Sequence, residues 1–318
     1  MSTASSAFIS EFSEDGRPTS RHTPRTEPTD SGKKENDMQL SDIDFLIIGA
    51  AKSATTWLQQ SLQQNPSVYM PDPELHFFSR NFEKGDGWYL GQFEPKPEQT
   101  IVGEKSNSYL DEPEAAARIK KALPRARLIA QLRNPVDRAY SDYCMLYRRG
   151  EVGTDITRYL DPRQAKGGRF LVGGLYCRQL EAYLDLFPAE NLQVLLYEHM
   201  RQNPQAHLDA VRDFLQLSSP LYPVVNKVKD KTVPVVPPKL RRLLQPLKPI
   251  AAPFRSNPIV KGLRSMVARE LDYVPLPTDL RNRLVEFYAP ETERLGALLK
   301  QDLSGWLQAA AGSARPAA

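Results

Sequence analysis

The stretch DFLIIGAAKSATTWLQQSLQQNP, Asp44–Pro66, decides how the chain is read. Phe45 to Ile48 is an apolar run suited to a strand buried on both faces, Gly49 to Ala51 is a turn of small residues, and Thr55 to Gln64 carries the spacing of a helix. Such a strand–turn–helix unit predicts an α/β fold with an anion site at the turn. Small residues let the backbone approach a ligand, successive N–H groups point into the concavity, and the helix N-terminus favours negative charge. Lys52, Ser53, Thr55 and Thr56 add a cation and hydroxyls. The spacing excludes two common phosphate motifs. Lys52 follows Gly49 too closely for a Walker loop, and GAAKSA lacks the three glycines of a dinucleotide fingerprint. An ordinary strand-to-helix turn with a stray lysine has the same composition, so this stretch alone leaves that reading open.

A second unit of the same kind runs from Ala126 to Gly150, ARLIAQLRNPVDRAYSDYCMLYRRG. Leu128–Leu132 is its buried run, Arg133 leaves the strand end, and Asn134-Pro135 turns the chain into a helix. Ser141 lies about two helical turns beyond Arg133, so both can face one phosphate, Arg133 with a bidentate contact and Ser141 through its hydroxyl. A surface Arg-Asp pair and an incidental helical serine explain the same letters. A further strand at Leu192–Tyr197, an amphipathic helix at Pro204–Leu217 and helical periodicity over Pro277–Gln301 extend the pattern to a three-layer fold with a mostly parallel central sheet.

Across its 318 residues the chain is 41% hydrophobic and carries a formal charge of +4, enough apolar material for a sizeable core and a modest balance that suits a polyanionic nucleotide without requiring one. No run approaches the roughly 20 apolar residues of a membrane span, and Met1–Ser20 has no basic start followed by an apolar core, so a cytoplasmic protein is expected. Aromatic and basic residues are not interleaved as in nucleic-acid binders. Cys144 and Cys177 fall in predicted helices and read as small hydrophobes. The four histidines, at 22, 76, 199 and 207, give no metal-ligand spacing, and Glu198-His199 reads as a structural pair. Residues 1–40 read as a disordered leader, 41–307 as one domain and 308–318 as a frayed tail. Within the domain, 218–272 is broken by prolines and rich in Lys and Arg, which suggests a lid or docking arm.

Between the two units lies SVYMPDPELHFFSRNFEKGDGWYLGQF. Pro71 and Pro73 make a rigid turn, and an extended run after it would let Glu74 and His76 share one face. A surface acid and a supporting histidine beside Phe77 and Phe78 fit these letters too. Trp88 can wall a cleft or pack a loop. Asp111 is expected to cap a helix over Glu112–Ala122.

These segments together resemble the sulfotransferases that use 3′-phosphoadenylyl sulfate (PAPS), most closely the heparan sulfate N- and 3-O-sulfotransferases and their bacterial relatives. GAAKSATTWL resembles their 5′-phosphosulfate loop, LRNPVDRAYSDY their 3′-phosphate segment, PELHFFSR their KEVHFF-type segment and GEKSNSYL their EKSPxYF segment. The resemblance implies PAPS as donor and adenosine 3′,5′-bisphosphate as product. It implies Lys52, Ser53, Ala54, Thr55 and Thr56 at the 5′ end, Arg133 and Ser141 on the 3′-phosphate, Glu74 as general base, Lys105 beside the transferred group and His76 orienting the base or acceptor. GGLY makes Tyr176 a candidate lining residue, although a core tyrosine fits as well. The chain departs from the family at Pro73, where a lysine is common, at Asn107, at Asn134, where aspartate is common, and at Ala54, where glycine is usual. A left-handed Ala54 would cost roughly 1 to 2 kcal/mol, so a right-handed loop is the other expectation. The resemblance does not extend to the late basic loop, where Lys227 and Lys229 are candidates by position only. The implied activity is sulfuryl transfer to a hydroxyl, less readily an amine, of a carbohydrate, glycoconjugate, lipid or small molecule, with no metal. A P-loop phosphotransferase and a silent nucleotide-binding protein are the competing readings.

Overall fold

A computed structural model describes residues 38–165, 168–224 and 272–308. Most of the expected leader, the greater part of the 218–272 segment with Lys227 and Lys229, and all but the first residue of the expected tail lie outside the described residues.

Five strands form one parallel sheet: β1 (Phe45–Gly49), β2 (Val68–Tyr69), β3 (Ile101–Lys105), β4 (Arg127–Leu132) and β5 (Leu192–Leu196), in the order β2-β3-β1-β4-β5. Every residue of β1 is buried because it is the central strand and both its faces are covered. The side chains alternate as a strand requires. Phe45 and Ile47 pack with Leu58 and Leu62 of α1 (Thr55–Gln63), while Leu46 and Ile48 pack with an aromatic cluster on the opposite face. That second cluster includes Phe77 and Phe78 from α2 (Phe77–Arg80) and Tyr89 from α3 (Gly85–Leu90). It also takes Ala115, Ala116 and Ile119 from α4 (Ala115–Ala122). Gly103 of β3 sits opposite Phe45, where an added Cβ would come within 2.3 Å of the ring. A strand containing Gly, Glu and Lys therefore runs through the core at a position that no apolar run announces.

After β4, α5 (Pro135–Arg149) begins at Asn134, whose side chain accepts from the Val136 and Asp137 amides, as an aspartate cap would, with Pro135 in the first turn. Short α6 (Thr157–Leu160) and α7 (Arg169–Val172) lead to α8 (Tyr176–Leu184). After β5 come α9 (Tyr197–Gln202) and α10 (Pro204–Leu215), and α10 covers the α1 face with Leu208, Val211 and Leu215. The last long helix, α11 (Thr278–Leu299), returns against α5 through Leu280, Leu284 and Tyr288 and joins the cluster of α8 through Leu295, and Trp306 beyond it joins the same main core. Among the described residues no helix is long and apolar enough to cross a membrane.

Three local expectations need correction. Asp111 caps nothing: α4 starts at Ala115 behind Glu114, because Pro113 disfavours helical backbone at Glu112. The extended run after Pro73 ends at Leu75, since His76 turns left-handed with φ 51° and Phe77 and Phe78 enter α2. Glu198 and His199 do not form a pair: a Glu198 carboxylate oxygen accepts from the Asn134 amide at 2.9 Å, and His199 is exposed.

Candidate active site

The turn after β1 is held from beneath by β4. The Ala50 amide donates to the Gln131 carbonyl at 2.8 Å, and the Gln131 side-chain amide donates to the Ser53 carbonyl. On its other side, Gln131 Oε1 is 3.0 Å from His207 Nε2 of α10. Burial lowers the His207 pKa to about 4, so the ring is neutral at pH 7. Above this support both Lys52 (φ 71°) and Ala54 (φ 64°) are left-handed, which rules out the right-handed loop. Ser53 is fully buried and its hydroxyl has no partner. Lys52 Nζ lies 3.8 Å from Met145 Sδ on α5, one turn beyond Ser141, so the lysine end reaches the helix face that carries Ser141.

Arg133 leaves β4 beside this turn. Its guanidinium is 3.4 Å from the Lys52 carbonyl and lies over the Tyr197 ring at 4.6 Å, and its buried Nε has no partner. Buried polar groups are normally satisfied. Two orphaned donors, Ser53 Oγ and Arg133 Nε, around a turn of backbone amides and one lysine therefore fit a doubly anionic nucleotide.

The other half of the site is a cleft of about 310 Å³ lined by Thr56 and Gln60 of α1, Asp72, Glu74 and His76 before α2, and Lys105 at the end of β3. One Glu74 oxygen accepts from Lys105 Nζ at 2.7 Å and from Asn107 Nδ2 at 3.2 Å, and the other accepts from the Asn107 backbone amide at 3.1 Å. Lys105 Nζ also reaches Thr56 Oγ1 at 3.2 Å, which couples the carboxylate to the first turn of α1. The side chain of Lys105 is only 3% exposed and that of Glu74 is 21% exposed, so the acid rather than the lysine faces the opening. His76 Nε2 is 3.6 Å from Glu74, and Nδ1 is 2.7 Å from the Ser108 hydroxyl. Burial lowers the His76 pKa, and Arg80 and Lys105 reinforce this against the opposing pull of Glu74, leaving a neutral ring at pH 7.

The structure thus gathers Lys52, Ser53, Arg133 and the Ser141 face on one side and Thr56, Glu74, His76 and Lys105 on the other. Glu74 and His76 meet, but by the left-handed corner at His76 rather than by strand alternation. Two expected lining residues lie elsewhere. Tyr176 is 1% exposed, packs against Trp306 and donates its hydroxyl to the Arg133 carbonyl at 2.9 Å, so it props Arg133 from behind. Trp88 packs near Phe77 with Lys84 Nζ 4.2 Å above its ring and does not line the cleft. Sequence reasoning missed Asn107 as a holder of Glu74, although its place two residues after Lys105 at a strand end was visible.

A parallel sheet with orphaned polar donors at its strand-end turns, beside an open cleft, is the arrangement in which α/β folds bind anionic ligands. The sulfotransferase domain family matches residues 42–232, and the chain belongs to that family. The domain is a PAPS-dependent sulfotransferase domain, with PAPS as its donor. Similar proteins include the bovine bifunctional heparan sulfate N-deacetylase/N-sulfotransferase 2, 33% identical over 194 residues, which cover 55% of this chain and 22% of that protein. The human heparan sulfate glucosamine 3-O-sulfotransferase 3B1 is 33% identical over 177 residues, covering 54% of this chain and 45% of that one. The chain thus spans less than half the length of these curated relatives. A solved sulfotransferase from Alicyclobacillus acidocaldarius superposes with a TM-score of 0.62 at 27% identity, covering 84% of this chain and 99% of that one.

Proposed function

We propose that the protein transfers a sulfuryl group from PAPS to a hydroxyl of a carbohydrate or glycoconjugate, with Glu74 as general base. The observation that carries this reading is the Glu74 carboxylate, oriented by Lys105 and Asn107 at the mouth of a cleft that begins where the donor loop ends. PAPS supplies an electrophilic sulfur with adenosine 3′,5′-bisphosphate as its leaving group. Ser53, Thr55 and the left-handed backbone at Lys52 and Ala54 hold the 5′ end, and the Lys52 ammonium meets the charge that develops on the leaving oxygen. Arg133 and Ser141 hold the 3′-phosphate. Glu74 takes the acceptor proton as the new oxygen–sulfur bond forms, Lys105 balances the equatorial oxygens, and neutral His76 orients the hydroxyl.

Among the described residues lining the cleft the charges are Asp72, Glu74 and Lys105, and Lys105 is already bonded to Glu74. That lining favours an uncharged sugar over one flanked by sulfate or uronate, and the heparan sulfate relatives supply the carbohydrate class. The test is incubation with isotope-labelled PAPS and matched neutral and anionic oligosaccharides, with mass spectrometry of the labelled product. Neutral acceptors are expected to be sulfated faster, and Glu74→Gln to lower the single-turnover rate roughly 10² to 10⁴-fold at unchanged nucleotide affinity. A wild-type chemical rate in Glu74→Gln would remove the base assignment.

A further inference from the structure

Beneath the cleft lies a carboxyl group that the transfer chemistry does not use. Glu104 of β3 is fully buried, next to Lys105 in sequence but on the opposite face of the strand. The Tyr109 hydroxyl donates to one of its oxygens, and the Ser106 hydroxyl donates to the other at 3.1 Å. Each hydroxyl is also an acceptor: Ser106 Oγ receives the His76 backbone amide at 2.8 Å, and the Tyr109 oxygen receives the Phe77 amide at 2.9 Å. These two consecutive amides form the corner at which His76 turns left-handed, and that turn aims Glu74 and His76 into one cleft.

We propose that Glu104 is the positioning residue of the acceptor side, fixing the direction of two hydroxyls so that their lone pairs capture the His76 and Phe77 amides and hold the catalytic corner. This deepens the reading of Glu74 as base and rests on it for its effect on turnover. Hydrogen-bond bookkeeping makes the requirement specific. A carboxylate is acceptor-only, so both hydroxyls donate to it and both remain open to backbone N–H groups. An amide or a protonated acid that donates to one hydroxyl can share that oxygen with the backbone amide through its second lone pair. The hydroxyl's own proton then loses its acceptor, and rotating to find another turns the lone pairs away from the backbone N–H. Burial raises the Glu104 pKa to about 7, against the pull of Tyr109, Ser106 and Tyr89, with the Glu74 charge adding to the rise. The group is therefore poised to change between the two patterns in the physiological range.

The experiment compares wild type, Glu104→Gln and Ser106→Ala. Three signals are read: the ring nitrogen resonances of His76, assigned through His76→Gln; the affinity for adenosine 3′,5′-bisphosphate; and the pH profile of single-turnover transfer. Both variants should shift the His76 resonances and retain nucleotide affinity within about twofold. They should lose roughly tenfold to hundredfold in transfer rate, the scale of a displaced reacting group. The wild-type rate should rise through pH 7, and Glu104→Gln should lose that limb. Ser106→Ala leaves the carboxyl in place and carries the test if Glu104→Gln does not fold. Unchanged His76 resonances in the folded variants, or a loss of nucleotide affinity as large as the loss of rate, would overturn the proposal. An unimpaired Glu74→Gln would instead remove the base reading while leaving the His76 shifts to decide the positioning role.

Discussion

Replacing Ala54 with glycine should stabilise the protein, against the usual direction of that exchange. Ala54 sits at φ 64°, ψ 24° at the entry to α1, a left-handed backbone that costs an L-residue roughly 1 to 2 kcal/mol and a glycine almost nothing. Glycine gives back roughly 0.4 to 1 kcal/mol through the greater freedom of the unfolded chain. Its methyl group is half-buried and outside the core clusters, so no cavity adds to the cost. The net gain is about 0.5 to 1 kcal/mol, which raises the melting temperature by roughly 1 to 4 °C for a domain of this size. Scanning calorimetry without nucleotide measures it, with Ala117→Gly as the control. Ala117 is exposed within right-handed α4, and there the exchange should cost about 1 kcal/mol. If Ala54→Gly melts below the wild type, the strain argument is refuted.

Arg133→Ala should weaken adenosine 3′,5′-bisphosphate binding far more than adenosine 5′-monophosphate binding, by about 1.5 to 3 kcal/mol in paired calorimetry. Tyr176→Phe removes the bond to the Arg133 carbonyl and should show the same selectivity at about 0.5 to 1.5 kcal/mol, leaving the acceptor KM unchanged; a raised acceptor KM would return Tyr176 to the cleft. His207 predicts acid sensitivity. Its folded pKa lies at about 4 while the unfolded chain takes up the proton near 6.5, so its contribution is complete above 6.5 and is lost as the pH falls toward 4. Urea unfolding at pH 7 and 4.5 should therefore show roughly 2 to 3 kcal/mol less acid loss in His207→Gln than in wild type, and equal losses would refute the assignment.

The first and fourth strands were legible because both are buried on two faces and read as largely apolar runs, β4 interrupted only by Gln131 after Arg127, and the helix after β4 carries its own start signal in Asn134-Pro135. β3 was not legible. Its residues, IVGEK, include a glycine demanded by the Phe45 ring and two charged groups. The partners that make those charges tolerable are Glu74 for Lys105, and Ser106 and Tyr109 for Glu104. Glu74 comes 31 positions earlier, and no local window contains it. The corner at His76 was hidden for a related reason. A non-glycine residue takes left-handed backbone there because Ser106 and Tyr109 capture the amides, and those hydroxyls follow about thirty residues later. Tyr176 illustrates the limit for aromatic residues. GGLY marks a tyrosine near the nucleotide, but whether its ring faces ligand or core depends on Trp306, at the far end of the described chain.

That last contact bears on how this protein can be divided. The sulfotransferase domain match stops at residue 232, although the similarity to the solved bacterial sulfotransferase covers 84% of the chain, and Tyr176 leans on Trp306, the Asn134 side chain donates to the Trp306 carbonyl at 3.4 Å, and Arg178 pairs with Glu291 of α11. A fragment trimmed to residues 42–232 would keep every residue assigned to chemistry and lose Trp306, which backs Tyr176 behind Arg133. It would also bare the buried faces of α5 and α8. Its failure would register first as poor nucleotide retention and aggregation, and would be misread as a catalytic defect. The domain match and the mechanical unit have different edges here, and protein engineering has to respect the second.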